Sequence, residues 1–588
     1  MKSRIPVFLG LLIVLSACAG GPPPRPETWQ RGDYRYLRSY LSWLIETQMG
    51  KQAIEGLSIA IVDEQQVVWS QGFGYADKKR DVPASAETVY RVGSISKLFT
   101  DTLVMQLAEQ GKLDIDQALQ RYLPNFSINS RFADTAAITP RNIMSHHSGL
   151  PGDIVNGMWT QHPRPFGQLV EQLKSEYVSN PANTVFSYSN LGVTLLGTML
   201  ETVSATPFSV YADRQLLKPL GMRTARFAPG LEGELASKSY RFGDEKPEAP
   251  LRDMPAGGLN ASVLDLSRFM TMVFAGGASD GRQLLKPQTV AAMLKPQNAD
   301  VPLDAGLKVG LGWMLRDNLN IGPIAEHGGA TLYQFSLLSL ATDHKIGVVV
   351  LSNSPNQALQ KINNAALKLA VAIKTGQAFR ETETPAIETR APNAAEQSQF
   401  GGHYATMLGY VDAANTGDGI SADLNGNSLD IVVRPDGKFG IRYWLLGFIP
   451  IQPEELAEVG LSLNEIAGRR VLLAHTEGQT VPIGEKIVPT AIPAAWRRRL
   501  GDYRIVNLAD GEAIVPERCA LRERNGFLVL EYGLPSFDIE KQTWALKPID
   551  DEQAITHGLG RGMGDTLRVV KMDGRELIAY SGYLLQKQ

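Results

Sequence analysis

The chain has almost no cysteine. Among 588 residues only Cys18 and Cys519 occur. Cys18 falls in the leader described below, so no disulfide framework is available. Histidine is sparse as well. Eight are scattered without metal-ligand spacing, and the adjacent His146 and His147 do not readily point both rings at one ion. No metal and no cofactor is expected. No run of one charge stands out either. The net charge is -3 and there is no basic stripe, which argues against nucleic acid as a partner. What remains is an ordinary globular composition, 44% hydrophobic and 20% charged. The length suggests roughly two to four domains and a large core.

Residues 1–20 read as an export signal. Lys2 and Arg4 give a short basic region, and the apolar run 7–15 is too short to span a bilayer. It ends in Leu15-Ser16-Ala17-Cys18, which resembles a bacterial lipobox. In such proteins the cysteine becomes the lipidated first residue. Ala19 rather than Asp follows it, which by that resemblance favours the outer membrane. Residues 1–18 are therefore taken as signal and lipobox. Residues 19–33, opening Ala19-Gly20-Gly21-Pro22-Pro23-Pro24, form a stiff tether. The expected setting is the periplasmic face of a bacterial membrane, with secretion to the periplasm as the alternative.

From residue 34 the pattern changes. Residues 34–48 have amphipathic helical spacing, and 57–62 and 67–69 read as strands around a turn. Arg91-Val92-Gly93-Ser94-Ile95-Ser96-Lys97 leads into a mostly apolar helical run that Gly111 stops. Ser94 then sits at a helix N-terminus with Lys97 one turn on, on the same face. An amine there can take the hydroxyl proton, and free N–H groups of the first turn can hold an oxyanion. Chance alone supplies Ser-x-x-Lys on the order of once or twice in such a chain, so the motif is weak by itself. Tyr188-Ser189-Asn190 marks a second loop-to-helix junction, where Ser189 or Asn190 caps the helix and Asn190 can serve both as cap and in the cleft. Residues 262–274 look helical. Ala325-Glu326-His327-Gly328-Gly329-Ala330 precedes two strands, 332–340 and 346–351, and a closing helix, 358–373.

A linker rich in Glu, Thr, Pro and Ala spans 376–398. Beyond it lie many short strands in what looks like a duplication. Gly402-His403-Tyr404 matches Gly501-Asp502-Tyr503, and the turns at Asp436-Gly437 and Asn525-Gly526 correspond. Two antiparallel β units follow, 399–488 and 497–588, as barrels or sandwiches, with 488–495 between them.

Three motifs thus lie in order: Ser94-x-x-Lys97, Tyr188-x-Asn190 and His327-Gly328-Gly329. Together with Ser148-Gly149-Leu150-Pro151 and Ala256-Gly257-Gly258-Leu259, they resemble the serine β-lactamase and penicillin-binding superfamily. The nearest branch is that of class C β-lactamases, D,D-peptidases, D-aminopeptidases and family VIII esterases. The resemblance covers 34–375. It implies an α/β (α+β) domain, an antiparallel sheet flanked by helices plus an all-helical lobe. The C-terminal β units resemble small barrels appended to some D-aminopeptidase-like members. By resemblance Ser94 is the acylated nucleophile. Lys97 and Tyr188 share the general-base task, with the proton holder left open. Asn190 orients Lys97 and is expected to bind the substrate amide, His327 and Gly329 face the substrate, and the N–H groups of Ser94 and Ala330 form the oxyanion hole.

One departure matters. Many β-lactamases carry Lys-Thr-Gly at the third motif. Here His327 is expected to be neutral at pH 7, and Gly328 has no hydroxyl. That weakens the case for lactam hydrolysis and leaves peptide, D-amino acid amide and ester substrates open. The expected function is a cell-envelope serine hydrolase acting on a small-molecule or peptide-like amide, ester or lactam. The alternative is a catalytically silent binding protein on the same scaffold. The lipobox makes a prediction of its own: Cys18→Ser should shift the protein to the soluble periplasmic fraction or leave it unprocessed, as fractionation would show. Unchanged membrane association of a correctly processed mutant would remove the anchor.

Overall fold

The computed structural model describes residues 21–588 except 134, 319, 378–387, 446–448, 452–458 and 477. The export segment with Cys18, and part of the 376–398 linker, lie outside the described residues.

The first domain is built on an antiparallel sheet of eight strands. Its centre joins the two ends of the domain, because Gly56–Asp63 pairs with Ile346–Ser352 through Leu57↔Ser352 to Asp63↔Ile346. Both strands are buried on both faces, and the period of two divides their side chains. Ile59, Ile61, Val348 and Val350 face a layer made by the helices Arg35–Gln52 and Ala358–Thr375. Ala60, Val62, Val349 and Leu351 face the opposite core, with Phe99, Leu103, Phe269 and Met270. In the first helix Leu37, Leu41, Leu44 and Ile45 recur at three to four residues and form one buried face.

The helical lobe is inserted between the strand pair Gly56–Asp63 and Gln66–Asp77 and the later strands. Ser96–Glu109 is its centre and is buried from Ser96 through Leu107. Asn190–Ser204 packs beside it, as does the Met254–Gly257 turn. At that crossing a Cβ on Gly197 would meet the Pro255 ring at 2.1 Å, so only glycine permits the approach. Val263–Phe274 starts at Ser262, whose hydroxyl and Asp265 form a capping box.

The C-terminal region forms two closed antiparallel barrels. In the first, Gly402–Thr406 through Gln479–Ile487 make a ring closed by pairing of Asn427–Val433 with Phe439–Leu445. The second runs from Gly501–Ile505 to Tyr583–Lys587 and closes between these two strands. The duplication is visible in atoms. Each barrel opens with a short helix, Ala394–Phe400 or Ala494–Arg498, followed by a tyrosine on the first strand. The Tyr404 hydroxyl donates to the carbonyl of Phe400, and that of Tyr503 donates to the carbonyl of Arg499. Each bond spans four residues, so the helix and strand of each repeat are locked by the same device.

Several local expectations change. The second strand extends over Gln66–Asp77, well past 67–69. The linker expected to run to 398 is interrupted by the helix Ala394–Phe400, which Asn393 and Glu396 cap. The tether is docked at its end, where Arg31 donates to the carbonyl of Thr375 at 3.2 Å. Ser189, not Asn190, is the cap of its helix: its hydroxyl accepts from Gly192 N–H at 2.9 Å.

Candidate active site

Ser94 lies in a short 3-10 turn, Gly93–Ile95, that runs directly into Ser96–Glu109. The turn is anchored through Ser96, whose hydroxyl donates to Gly93 O at 2.6 Å and accepts from Leu259 N–H at 2.9 Å. The loop at Ala256-Gly257-Gly258-Leu259 is thereby tied to the base of the nucleophile turn.

Lys97 is fully buried. Its amine donates to Ser94 Oγ at 2.9 Å, to Asn190 Oδ1 at 2.7 Å and to Ala256 O at 2.7 Å. All three acceptors are uncharged. Burial, reinforced by the Arg561 cation, pushes the amine down to about 7. One turn further on, Asp101 is also buried, and neither carboxylate oxygen has a hydrogen-bond partner among the described residues. Its pKa is raised well above the ordinary range by that burial, against the opposing pull of Lys97, and it makes no hydrogen bond to the amine.

Tyr188 stands over this amine, with Lys97 Nζ 4.9 Å from its ring centre. Burial raises its phenol, against the opposing effect of its hydrogen bond with Ser94. Of the two candidate bases, Lys97 is therefore the one poised near neutrality, while Tyr188 holds its proton. His146 supports Tyr188 from behind, at 4.2 Å between ring centres, and its Nδ1 accepts from Ser189 N–H at 3.2 Å. His147 turns the other way and pairs with Asp304 at 2.8 Å. Since Ser189 does the capping, the Asn190 side chain is free to bridge. It accepts from Lys97 and donates from Nδ2 to Asp153 Oδ1 at 2.8 Å.

The third motif lies on the strand Gly322–Ala330. The neighbouring strand Met314–Asn318 pairs with it only as far as Glu326, so residues 327–330 have a free edge on that side. Thr331 N–H donates to Gln334 O at 2.9 Å. Antiparallel pairs alternate between bonded and non-bonded, so Ala330, opposite Phe335, points its N–H away from its partner strand and into the cleft. The strand comes very close to the nucleophile turn. A Cβ on Gly329 would lie 2.1 Å from Val92 O and 3.0 Å from Ser94 N; one on Gly93 (φ 51°) would lie 2.7 Å from Ala330 N. Glycine at both positions lets the N–H groups of Ser94 and Ala330 flank one space. His327 is buried, and its Nδ1 pairs with Gly328 O at 2.6 Å. Burial, with Lys97 nearby, pushes the imidazole down to about 4.

Two functional residues escape sequence reasoning. Asp153 follows the Ser148–Pro151 stretch, and Arg561 comes from the second barrel, 408 positions away. They form an ion pair at 2.6 Å, and the Arg561 guanidinium carbon stands 5.4 Å from the Tyr188 ring centre. Arg561 holds Asp153 below the usual carboxylate range in spite of burial. The loop that delivers Arg561 has glycine at every second position, Gly558, Gly560, Gly562 and Gly564, all at positive φ. This is the one signal in the sequence that could have pointed to it. The loop backbone is pinned to the first domain: Asn180 Nδ2 donates to Met563 O at 3.2 Å and Ser187 Oγ to Gly560 O at 3.2 Å. From the first barrel, Arg469 donates to Gly558 O at 3.1 Å. The resulting cleft, about 740 Å³, is lined by Ser94, Tyr188, Asn190, His327 and Arg561 with apolar walls that include Trp159 and Phe335.

Residues 41–372 match the family model described as Beta-lactamase. Protein flp of Staphylococcus aureus (strain MW2) is 26% identical over 334 residues, 54% of this chain and 64% of flp. The match thus spans less than two thirds of that relative's length. Penicillin-binding protein 4* of Bacillus subtilis (strain 168) is 25% identical over 404 residues, 64% of this chain and 85% of its own. The solved structure of an octameric penicillin-binding protein homologue from Pyrococcus abyssi shares the fold, with a TM-score of 0.51 at 23% identity over 76% of this chain and 99% of that one.

The Arg561 contact generates a prediction. Arg561→Gln removes a cation that lowers the Lys97 amine and frees Asp153 to stabilise the protonated form. Both effects should move the midpoint for reaction of Ser94 with an acylating probe above pH of about 7. A midpoint identical to wild type would show that the barrel loop has no electrostatic hold on the amine.

Proposed function

The chain belongs to the Beta-lactamase family, and on that premise we propose that it is a serine hydrolase working through an acyl-enzyme at Ser94. The observation that carries this reading is the Lys97 amine, 2.9 Å from Ser94 Oγ and lowered to about 7, so that a large share of it is neutral at pH 7. In the neutral form it accepts the Ser94 proton as Oγ attacks the substrate carbonyl carbon. The developing oxyanion is held by the N–H groups of Ser94 and Ala330. The bond to the leaving group then breaks, and that group takes a proton relayed from Lys97 through the Tyr188 phenol. Water, deprotonated by the same amine, later releases the acyl group and restores Ser94. Asn190 keeps Lys97 aimed by holding it against Asp153.

The substrate is an amide, ester or lactam of peptidase, D-aminopeptidase, esterase or β-lactamase type. The free edge at 327–330 suits an extended acyl donor, whose backbone can pair with it. With its Nδ1–H given to Gly328 O, a neutral His327 offers the cleft an accepting Nε2 and no charge, so it pairs with carboxylates only in acid, near pH 4. The setting is the cell envelope, with Cys18 as the lipid anchor.

Labelling with a fluorophosphonate, followed by mapping of the adduct, tests the assignment. Ser94→Ala should abolish labelling and lower turnover of any ester, D-amino acid amide or β-lactam in a panel by at least about a thousandfold. With Lys97 as base, kcat/KM should rise about tenfold per pH unit up to about 7 and then level off. Labelling that survives in Ser94→Ala would sink the reading. A panel without any turnover would favour the silent binding protein.

A further inference from the structure

We infer that the second barrel is a binding chamber for an uncharged apolar tail of the substrate attacked by Ser94. The inference rests on the hydrolase reading and adds a substrate class to it. An eight-stranded barrel has an interior just wide enough to be filled by side chains or to hold one small ligand. The first barrel packs its interior with aromatic rings, Phe400 and Phe439 lying 4.3 Å apart at their centres with Tyr404 beside them. The second retains a cavity of about 360 Å³, within the size range of small-molecule sites.

The chamber wall is apolar. Leu530, Leu585, Cys519 and the rings of Tyr532 and Trp544 line it. Three of the aromatic polar ends are satisfied within the wall: Trp544 Nε1 donates to Tyr532 Oη at 2.8 Å, and Tyr583 Oη donates to Ile514 O at 2.6 Å. Among the described residues that line it, the charged groups already have partners: Arg561 is paired with Asp153, and Asp565, lifted to about 7 by burial, accepts from Ser179 Oγ.

The position of the chamber links it to the chemistry. Asp153, Val155, Ile514 and Arg561 line both this cavity and the catalytic cleft. The wall between them is held firmly. Val155 N–H donates to Ser581 Oγ at 3.1 Å, Ser581 Oγ donates to Asp153 O at 3.1 Å, and Asn156 Nδ2 donates to Gly582 O at 3.0 Å. The two cavities thus meet at the Arg561–Asp153 pair, and the proposal is that a substrate with its carbonyl at Ser94 reaches past this pair into the barrel.

The test has a binding arm and a kinetic arm, both on the full chain. In the binding arm, N-phenyl-1-naphthylamine is titrated into Ser94→Ala. Fluorescence enhancement that 1-octanol reverses is expected. In the kinetic arm, kcat/KM is measured on two ester series, one lengthening the acyl group and one the leaving alcohol. One series should climb by about fourfold per methylene until the chamber is full. Cys519→Phe in the wall and Ile514→Trp at the neck should each lower the ratio of long-chain to short-chain kcat/KM toward one. If either variant fails to fold, as its melting curve would reveal, the wild-type series and the probe still decide. Two flat series overturn the inference, whether or not the probe binds, and leave the hydrolase intact. Probe binding to Ser94→Ala with no ester turnover at all overturns the chamber's link to Ser94, while the hydrolase reading is decided by the wider panel of amides and lactams. A climbing series with no probe binding places the tail elsewhere and also overturns the chamber.

Discussion

The structure depends on a lysine that is buried without a carboxylate on it. Moving the Lys97 amine from 10.5 to about 7 corresponds to roughly 5 kcal/mol between its two protonation states. That burden falls on folding. It is present in full below pH of about 7, where both folded and unfolded amines are charged, and fades as pH rises toward the ordinary lysine range. The surroundings keep it in place with neutral oxygens from three separate segments: the nucleophile turn, the helix that starts at Asn190 and the Ala256 loop. An anion in direct contact would stabilise the ammonium and remove the base. The architecture instead supplies hydrogen bonds that tolerate either form. Asp101 sits close enough to matter, yet burial pushes its carboxyl well above the usual range and so weakens it as a counter-ion.

Seen from this amine, the charges beyond it form a sequence of compensation. Lys97 bonds Asn190, Asn190 bonds Asp153, and Asp153 pairs with Arg561. The carboxylate is one residue removed from the base, and its own charge is already spent on the guanidinium. A bare Asp153 would pull a proton onto Lys97, whereas Asp153 with Arg561 does so much less. The C-terminal barrels thus have a physical bearing on the nucleophile despite lying hundreds of residues away. The first barrel contributes by bracing: Arg469, itself paired with Glu485, holds the carbonyl of Gly558 at the root of the Arg561 loop.

How much of this could be read in the sequence follows from distance along the chain. The central strands and outer helices show in local periodicity, because the buried face of each repeats every two or every three to four residues. Ser94 with Lys97, and Tyr188 with Asn190, show because each pair sits within one turn of a loop-to-helix junction. The barrel repeat shows in Gly402-His403-Tyr404 and Gly501-Asp502-Tyr503, and the structure explains why: each tyrosine closes a four-residue bond to its preceding helix. Closure of the barrels does not show, since it is a matter of pairing between first and last strands. The Asp153–Arg561 pair is hidden for the same reason. The function of Asn190 is half visible: the sequence marks the junction, but only the geometry assigns the cap to Ser189 and frees Asn190.

The third motif is subject to the same electrostatic constraint. A lysine at position 327 would put a second ammonium near one that already has to be neutral, and each cation lowers the other. Histidine avoids this, because burial with Lys97 nearby pushes it down to about 4 and leaves an uncharged ring. The cleft nevertheless contains a fixed cation. It enters from the barrel side as Arg561, half exposed and tethered to Asp153. Charge on the strand edge has in effect been exchanged for charge on the barrel loop. The Ser94 side of the cleft is left with backbone donors, a neutral imidazole and apolar walls. On the proposed reading, a site so arranged reads shape and apolar reach more than the charge of what it binds, and the space behind Arg561 is where that reach would continue.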